Sequence, residues 1–113
     1  MIKILSGEFK GRKLKRINLN SIRPTQAKVR KSIMDSIRDF DLKSVLDLYS
    51  GAGTLGIESI SRGSKTVCFV ENDIKAIRIL KSNVDMLELT SQCKIIKSDV
   101  TKFLKNHNEV YDI

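Results

Sequence analysis

The 113-residue chain contains one proline, one histidine, two cysteines and no tryptophan. Each scarcity excludes something. His107 alone leaves no usual zinc ligand set to assemble. Cys68 and Cys93 lie far apart and outside any Cys-x-x-Cys pattern, so they read as free thiols of a protein kept in a reducing compartment. Pro24 is isolated, and no low-complexity stretch or internal repeat is present. No run approaches the roughly 20 apolar residues of a membrane span. The opening Met-Ile-Lys-Ile-Leu-Ser-Gly has no long apolar core ahead of a cleavage site, so a cytoplasmic protein is expected.

Positive charge is plentiful, and it is unevenly placed. The formal net charge is +8, from 21 Lys and Arg against 13 Asp and Glu. Residues 1–43 hold 12 of those cations and 4 of the acids, whereas residues 44–113 hold 9 of each. The excess therefore sits in the first third. The expected organisation is a basic segment over 1–43, suited to nucleic acid, and a neutral domain over 44–113. A merely solvated basic surface is the plain alternative.

Ile2–Leu5, then Phe9, Leu14, Ile17 and Leu19 among lysines and arginines, suggest short strands or a hairpin bent at Gly7 and Gly11. Thr25 is placed to cap a helix running to about Phe40. Val29, Ile33 and Ile37 recur every four residues, with Met34 and Phe40 beside them, and predict its buried stripe. Lys28, Arg30, Lys31 and Arg38 fall mostly off that stripe. From Ser44 the pattern alternates. Strands are predicted over 44–49, 65–70 and 94–97, and helices follow at Thr54, Asp73 and Asp99. Val110–Ile113 resembles the start of a fourth strand. Such alternation means an α/β fold with a parallel, doubly wound sheet. Ligands in these sheets bind beyond the carboxyl ends of the strands. Asp47, Glu71 and Asp99 each lie at or just after such an end.

Gly51-Ala52-Gly53-Thr54-Leu55-Gly56 is a G-x-G-x-x-G loop between strand and helix, a pattern that also suits dinucleotides. Asp47, four residues ahead of Gly51, separates the two cofactor classes. A carboxylate there repels a pyrophosphate. It attracts the ammonium and sulfonium of S-adenosylmethionine (SAM), by about 4 kcal/mol at about 4 Å for an effective dielectric of about 20. Glu71 can accept both ribose hydroxyls, and Asp99 can accept from the adenine amino group. Each acid also has a plain structural use: Asp47 as a loop anchor, Asp73 in place of Glu71, Asp99 as a helix cap.

Five blocks in order carry a family resemblance: Gly7-Glu8-Phe9-Lys10-Gly11-Arg12-Lys13-Leu14; Ile22-Arg23-Pro24-Thr25 with Val29-Arg30; Asp47 to Glu58 with Ser61-Arg62-Gly63; Phe69 to Asp73; and Asp99 to Leu104. Together they resemble the bacterial small-subunit rRNA guanine-N2 methyltransferases, over essentially the whole chain. The resemblance implies a Rossmann-like SAM-dependent fold, here the N-terminal half of its parallel sheet with flanking helices. It places Asp47, Ser50, Gly51 and Gly53 around the methionine part of SAM, Glu71 on the ribose, Asn72 beside the adenine and Asp99 near its amino group. It also implies that Arg12, Lys13, Arg23 and Arg30 face 16S rRNA or a small-subunit precursor, and Lys28 lies in the same basic segment. Ala52 and Lys31 depart from residues usual in the family, the second toward more positive charge.

The larger departure is the lack of the family's Asp-Pro-Pro-Tyr motif, since the sole proline is Pro24. Guanine N2 is a poor nucleophile, and in the family that motif aims the amine and stacks on the flipped base. The chain is therefore expected to be an N-terminal portion of a longer enzyme, poor at methyl transfer by itself and without catalytic residues of its own. An incomplete sheet would also leave an apolar edge, so self-association through that edge is a further expectation.

Overall fold

A computed structural model describes residues 2–17 and 27–113. Two short strands, β1 (Ile2–Lys3) and β2 (Lys13–Leu14), pair antiparallel with Ile2 opposite Leu14. Helix α1 (Ala27–Ser36) follows. Then β3 (Ser44–Leu48), α2 (Thr54–Ser61), β4 (Thr66–Glu71), α3 (Ile74–Met86), β5 (Cys93–Lys97) and α4 (Val100–Asn106) alternate. The three longer strands form a parallel sheet in the order β3-β4-β5. Asp47 lies opposite Phe69, and Glu71 opposite Lys97. This is the parallel α/β arrangement expected from the alternating pattern, and the Rossmann-like fold that the family resemblance implied.

β4 is central and buried on both faces, which explains its unbroken apolar run. Its side chains alternate. Val67 and Phe69 enter one core with Ile57, Leu80 and Val84, while Cys68 and Val70 enter a second with Val100 and Phe103. Phe69 is fully buried, and cutting it to alanine would cost about 3–5 kcal/mol. The backbone of residues 112–113 lies along the other edge of β3. Leu46 N donates to Ile113 O at 2.9 Å and Asp112 N to Ser44 O at 3.0 Å. The predicted fourth strand thus begins to pair beside β3. Among the described residues, no helix is long and apolar enough to cross a membrane.

The basic N-terminal third is built into the same core as the sheet. Ile4, Leu14, Met34 and Phe40 pack in one cluster with Ile57 and Phe69. Gly7 and Gly11 do occupy bends, both at positive φ. At Gly7 a Cβ would stand 1.8 Å from the Ser61 carbonyl oxygen, so only glycine lets this segment lie against α2.

Helix α1 departs from its predicted facing. Its buried residues are Arg30 and Met34, whereas Val29 and Ile33 are 48% and 42% exposed. The apolar count favoured the Val29–Ile33–Ile37 stripe. The fold instead turns the helix so that Arg30 meets Glu58, which is buried on α2. A buried carboxylate demands a cation more strongly than two aliphatic side chains demand burial. The helix also stops at Ser36 and not near Phe40. The predicted cap, Thr25, and the predicted RNA contact, Arg23, lie outside the described residues.

Candidate cofactor site

The site is built where β3 ends. Tyr49 adopts a left-handed conformation at φ 58° and is 75% exposed, a strained turn for a bulky residue. Ser50 then folds the loop back: its hydroxyl donates to Asp47 O at 2.6 Å, and its N–H donates to Val70 O at 3.2 Å. Gly51 and Gly53 both take positive φ. At Gly53 a Cβ would stand 2.2 Å from Leu80 Cδ1, so the loop closes onto α3 only because the residue is glycine. At Gly51 a Cβ would make only ordinary van der Waals contact, with Ile17 Cδ1 at 3.6 Å. Gly53 thus serves close packing, and Gly51 leaves the loop backbone accessible.

Two carboxylates frame this loop. Glu71 Oε1 accepts from Gly51 N at 2.9 Å, and Oε2 accepts from Asn72 N and Asp73 N, each at 2.9 Å. Oε1, with a single donor, retains capacity for a further one. Asp47 is 8% exposed, and its Oδ2 accepts from Gly56 N at 3.1 Å. Burial raises its pKa to about 7; the Gly56 hydrogen bond opposes the rise, and the nearby Glu71 charge adds to it. Without a cation beside it, Asp47 holds its proton to a far higher pH than an ordinary carboxyl.

The remaining expected ligand residues sit further along the same sheet edge. Asn72 is exposed beside Glu71. Asp99 follows β5 by two residues, is exposed, and caps α4 by accepting from Lys102 N through Oδ1 at 3.0 Å. Asp73 caps α3, accepting from Lys75 N at 3.1 Å, which leaves Glu71 as the acid on the glycine loop. Of the cations expected to face RNA, Arg12, Lys13 and Lys28 are exposed. Arg30 is not. It is 2% exposed, its guanidinium donates to Lys3 O at 2.7 Å, and Nε lies 4.0 Å from Glu58 Oε1. Burial lowers its pKa, and the Glu58 charge partly restores it.

A family model described as "Conserved hypothetical protein 95" matches residues 2–113. The chain belongs to that family. Among curated relatives, this family member is 43% identical over 104 residues to "Putative rRNA methyltransferase YlbH" of Bacillus subtilis, covering 91% of the chain and 56% of the relative. It is 34% identical to "Ribosomal RNA small subunit methyltransferase D" of Buchnera aphidicola subsp. Baizongia pistaciae, covering 99% of the chain and 58% of the relative. The solved structure of "Putative methyltransferase yhhF from Escherichia coli" superposes with a TM-score of 0.81 at 25% identity, covering 91% of this chain and 55% of that one. The family member thus spans a little over half the length of these relatives. The relatives' names agree with the resemblance to rRNA small-subunit methyltransferases, and the superposition with the Rossmann-like methyltransferase fold.

Three residues with structural consequences were given no role in the sequence reading. Glu58 accepts from Leu5 N at 2.8 Å, Ser6 N at 3.1 Å and Arg62 Nε at 3.2 Å. Ser61 donates to Ser6 O at 2.6 Å and accepts from Phe9 N at 3.0 Å. Asn83 is fully buried, accepts from Lys15 N at 2.8 Å, and donates to Lys15 O and Ala52 O, each at 3.0 Å. One amide therefore ties the basic segment to the glycine loop. For Glu58 a signal existed: it is the lone charge in the otherwise apolar and small-residue helix Thr54–Ser61.

Proposed function

We propose that this chain is the cofactor-binding part of a SAM-dependent methyltransferase whose target is the exocyclic N2 of a guanine in small-subunit rRNA. The observation that carries the reading is Asp47: a buried carboxylate with one hydrogen bond, beside a second acid. Such a site favours a cationic ligand and disfavours a pyrophosphate. The residues fit SAM. Asp47 and the Ser50–Gly53 backbone would hold the aminoacyl and sulfonium end, Glu71 the ribose hydroxyls, and Asn72 and Asp99 the adenine. SAM, when bound, supplies a methyl group made electrophilic by the sulfonium.

The chain's own contribution is binding and orientation. Ser50 fixes the loop through two main-chain carbonyls, and Glu71 clamps it through Gly51 N–H while its other oxygen holds Asn72 N–H and Asp73 N–H just after β4. Glu71 therefore links loop shape to ribose recognition. The exposed Arg12, Lys13 and Lys28, with Arg23, supply positive charge for the phosphates of 16S rRNA or a small-subunit precursor in the cytoplasm. No Asp-Pro-Pro-Tyr occurs in the 113 residues. On this reading the chain alone binds SAM and RNA and transfers methyl poorly.

Calorimetric titration with SAM and with NAD tests the reading. SAM is expected to bind and NAD not, with SAM affinity falling below about pH 7 as Asp47 takes up a proton. NAD binding without SAM binding would overturn it. The second reading, a non-catalytic SAM- and RNA-binding module, rests on the same absent motif. Methyl transfer to unmodified small-subunit RNA would reject that reading.

A further inference from the structure

Charge along the sequence places the positive excess in residues 1–43, but the fold adds cations from the neutral remainder. Helix α3 carries Lys75, Arg78 and Lys81 at three-residue spacing, all exposed. That spacing keeps them on the outward side of the helix. Its opposite side buries Ala76, Ile77, Leu80, Asn83 and Val84. The segment leaving β2 lies directly against this helix. Lys15 is held through its main chain by Asn83, and its ammonium donates to Ser82 Oγ at 3.0 Å. Lys15 thus joins the α3 cations in one surface, and the exposed Arg16 follows it in the chain. Among the described residues, none of these five cations forms an ion pair. A shallow groove runs along it past Arg78, Lys81, Ser82 and Asp85. Asp85, the carboxylate in that groove, accepts from Thr90 Oγ1 at 3.1 Å.

We infer that the outward face of α3, with Lys15 and Arg16, is a track for the sugar-phosphate backbone of RNA. The inference rests on the RNA reading above and extends it to residues outside the basic N-terminal third. Unpaired cations on two packed elements suit a polyanion whose charges repeat at short intervals. Helix α3 has no aromatic residue on which a base could stack, so the contact positions RNA and does not read its sequence. The track passes Lys75, two residues from the Asp73 cap and close in sequence to Glu71. RNA held there lies alongside the cofactor edge.

The test is RNA binding by the 113-residue chain, followed by fluorescence anisotropy with a labelled mixed-sequence RNA at several salt concentrations. The variant Lys75→Gln/Arg78→Gln/Lys81→Gln removes charge at exposed positions with a good helix former. Arg12→Gln/Lys13→Gln serves as the reference. The α3 variant is expected to lower the slope of log affinity against log salt by about 2, from about 0.7 per lost contact to a single strand. Arg78→Gln alone should lower it by about 0.7, which covers any loss of folding in the triple variant. An unchanged slope in the α3 variants, with a reduced slope in the reference, overturns the track and leaves the RNA reading standing. No RNA binding by the parent chain overturns both. Binding of the parent to phosphatidylserine vesicles but not to RNA replaces the track with a membrane-facing surface and also overturns it.

Discussion

Two buried carboxylates lie at α2, Glu58 on the helix and Asp47 on its Gly56 N–H, and their surroundings differ. Glu58 is saturated: two main-chain N–H groups, Arg62 and Arg30 surround it. Asp47 has one N–H partner and an acid for a neighbour, and its pKa rises to about 7. The first has all its partners within the chain and holds the N-terminal segment to the domain. The second is left short of positive charge, as a residue awaiting a cationic ligand would be. Burial of an acid alone therefore identifies neither role; the count of its partners does.

The largest effect should come from breaking the saturated acid. Glu58→Ala leaves Arg30 buried without its counter-charge and is expected to cost about 3–5 kcal/mol in urea unfolding. Adding Arg30→Leu should recover part of that loss, because the pair then leaves together. Simple additivity of the two costs would contradict a buried pair.

Asp47 should behave in the opposite sense. Its folded pKa of about 7 exceeds the ordinary carboxylate value near 3.9, so the folded state holds the extra proton between them. The stability contribution of this group is full below about pH 4 and is lost as pH rises toward about 7. Asp47→Asn is expected to flatten that decline, with a gain of up to about 4 kcal/mol at pH 8, while SAM binding weakens. Equal pH profiles for parent and variant would place Asp47 outside the proposed role.

The two loop glycines sharpen the contrast at smaller cost. Gly53→Ala meets Leu80 at 2.2 Å as well as a left-handed φ of +84°, and should destabilise the fold by about 2 kcal/mol or more. Gly51→Ala, whose Cβ would make only ordinary contact with Ile17 at 3.6 Å, should cost about 1 kcal/mol in stability and weaken SAM binding. Thermal melts with and without SAM distinguish the two. Smallest is Asp99→Ser, which keeps a capping oxygen for α4 and should change stability by only a few tenths of a kcal/mol. A drop in SAM affinity in that variant would assign the second carboxylate oxygen to the ligand; no drop would leave Asp99 as a cap.

The loop was legible because its signals are local. Gly51 and Gly53 must permit positive φ, and Asp47, Glu71 and Asp99 recur at strand ends whatever the packing. Helix α1 was misread because facing is a tertiary quantity. Val29, Ile33 and Ile37 give the better periodic stripe, yet Arg30 faces inward to meet Glu58, a residue 28 positions later. The same reason hid Asn83, whose partners Lys15 and Ala52 lie 68 and 31 residues away.

By itself, then, the sequence determined the α/β alternation, the strand-end position of the acids and the place of the glycine loop, because short-range sterics and hydrophobic period suffice for these. Tertiary structure alone decided which acid is saturated, which arginine is buried, and that Lys75, Arg78 and Lys81 join Lys15 on one face. Those outcomes depend on neighbours brought together only when the sheet and helices pack, and no local pattern encodes the identity of a partner tens of residues away.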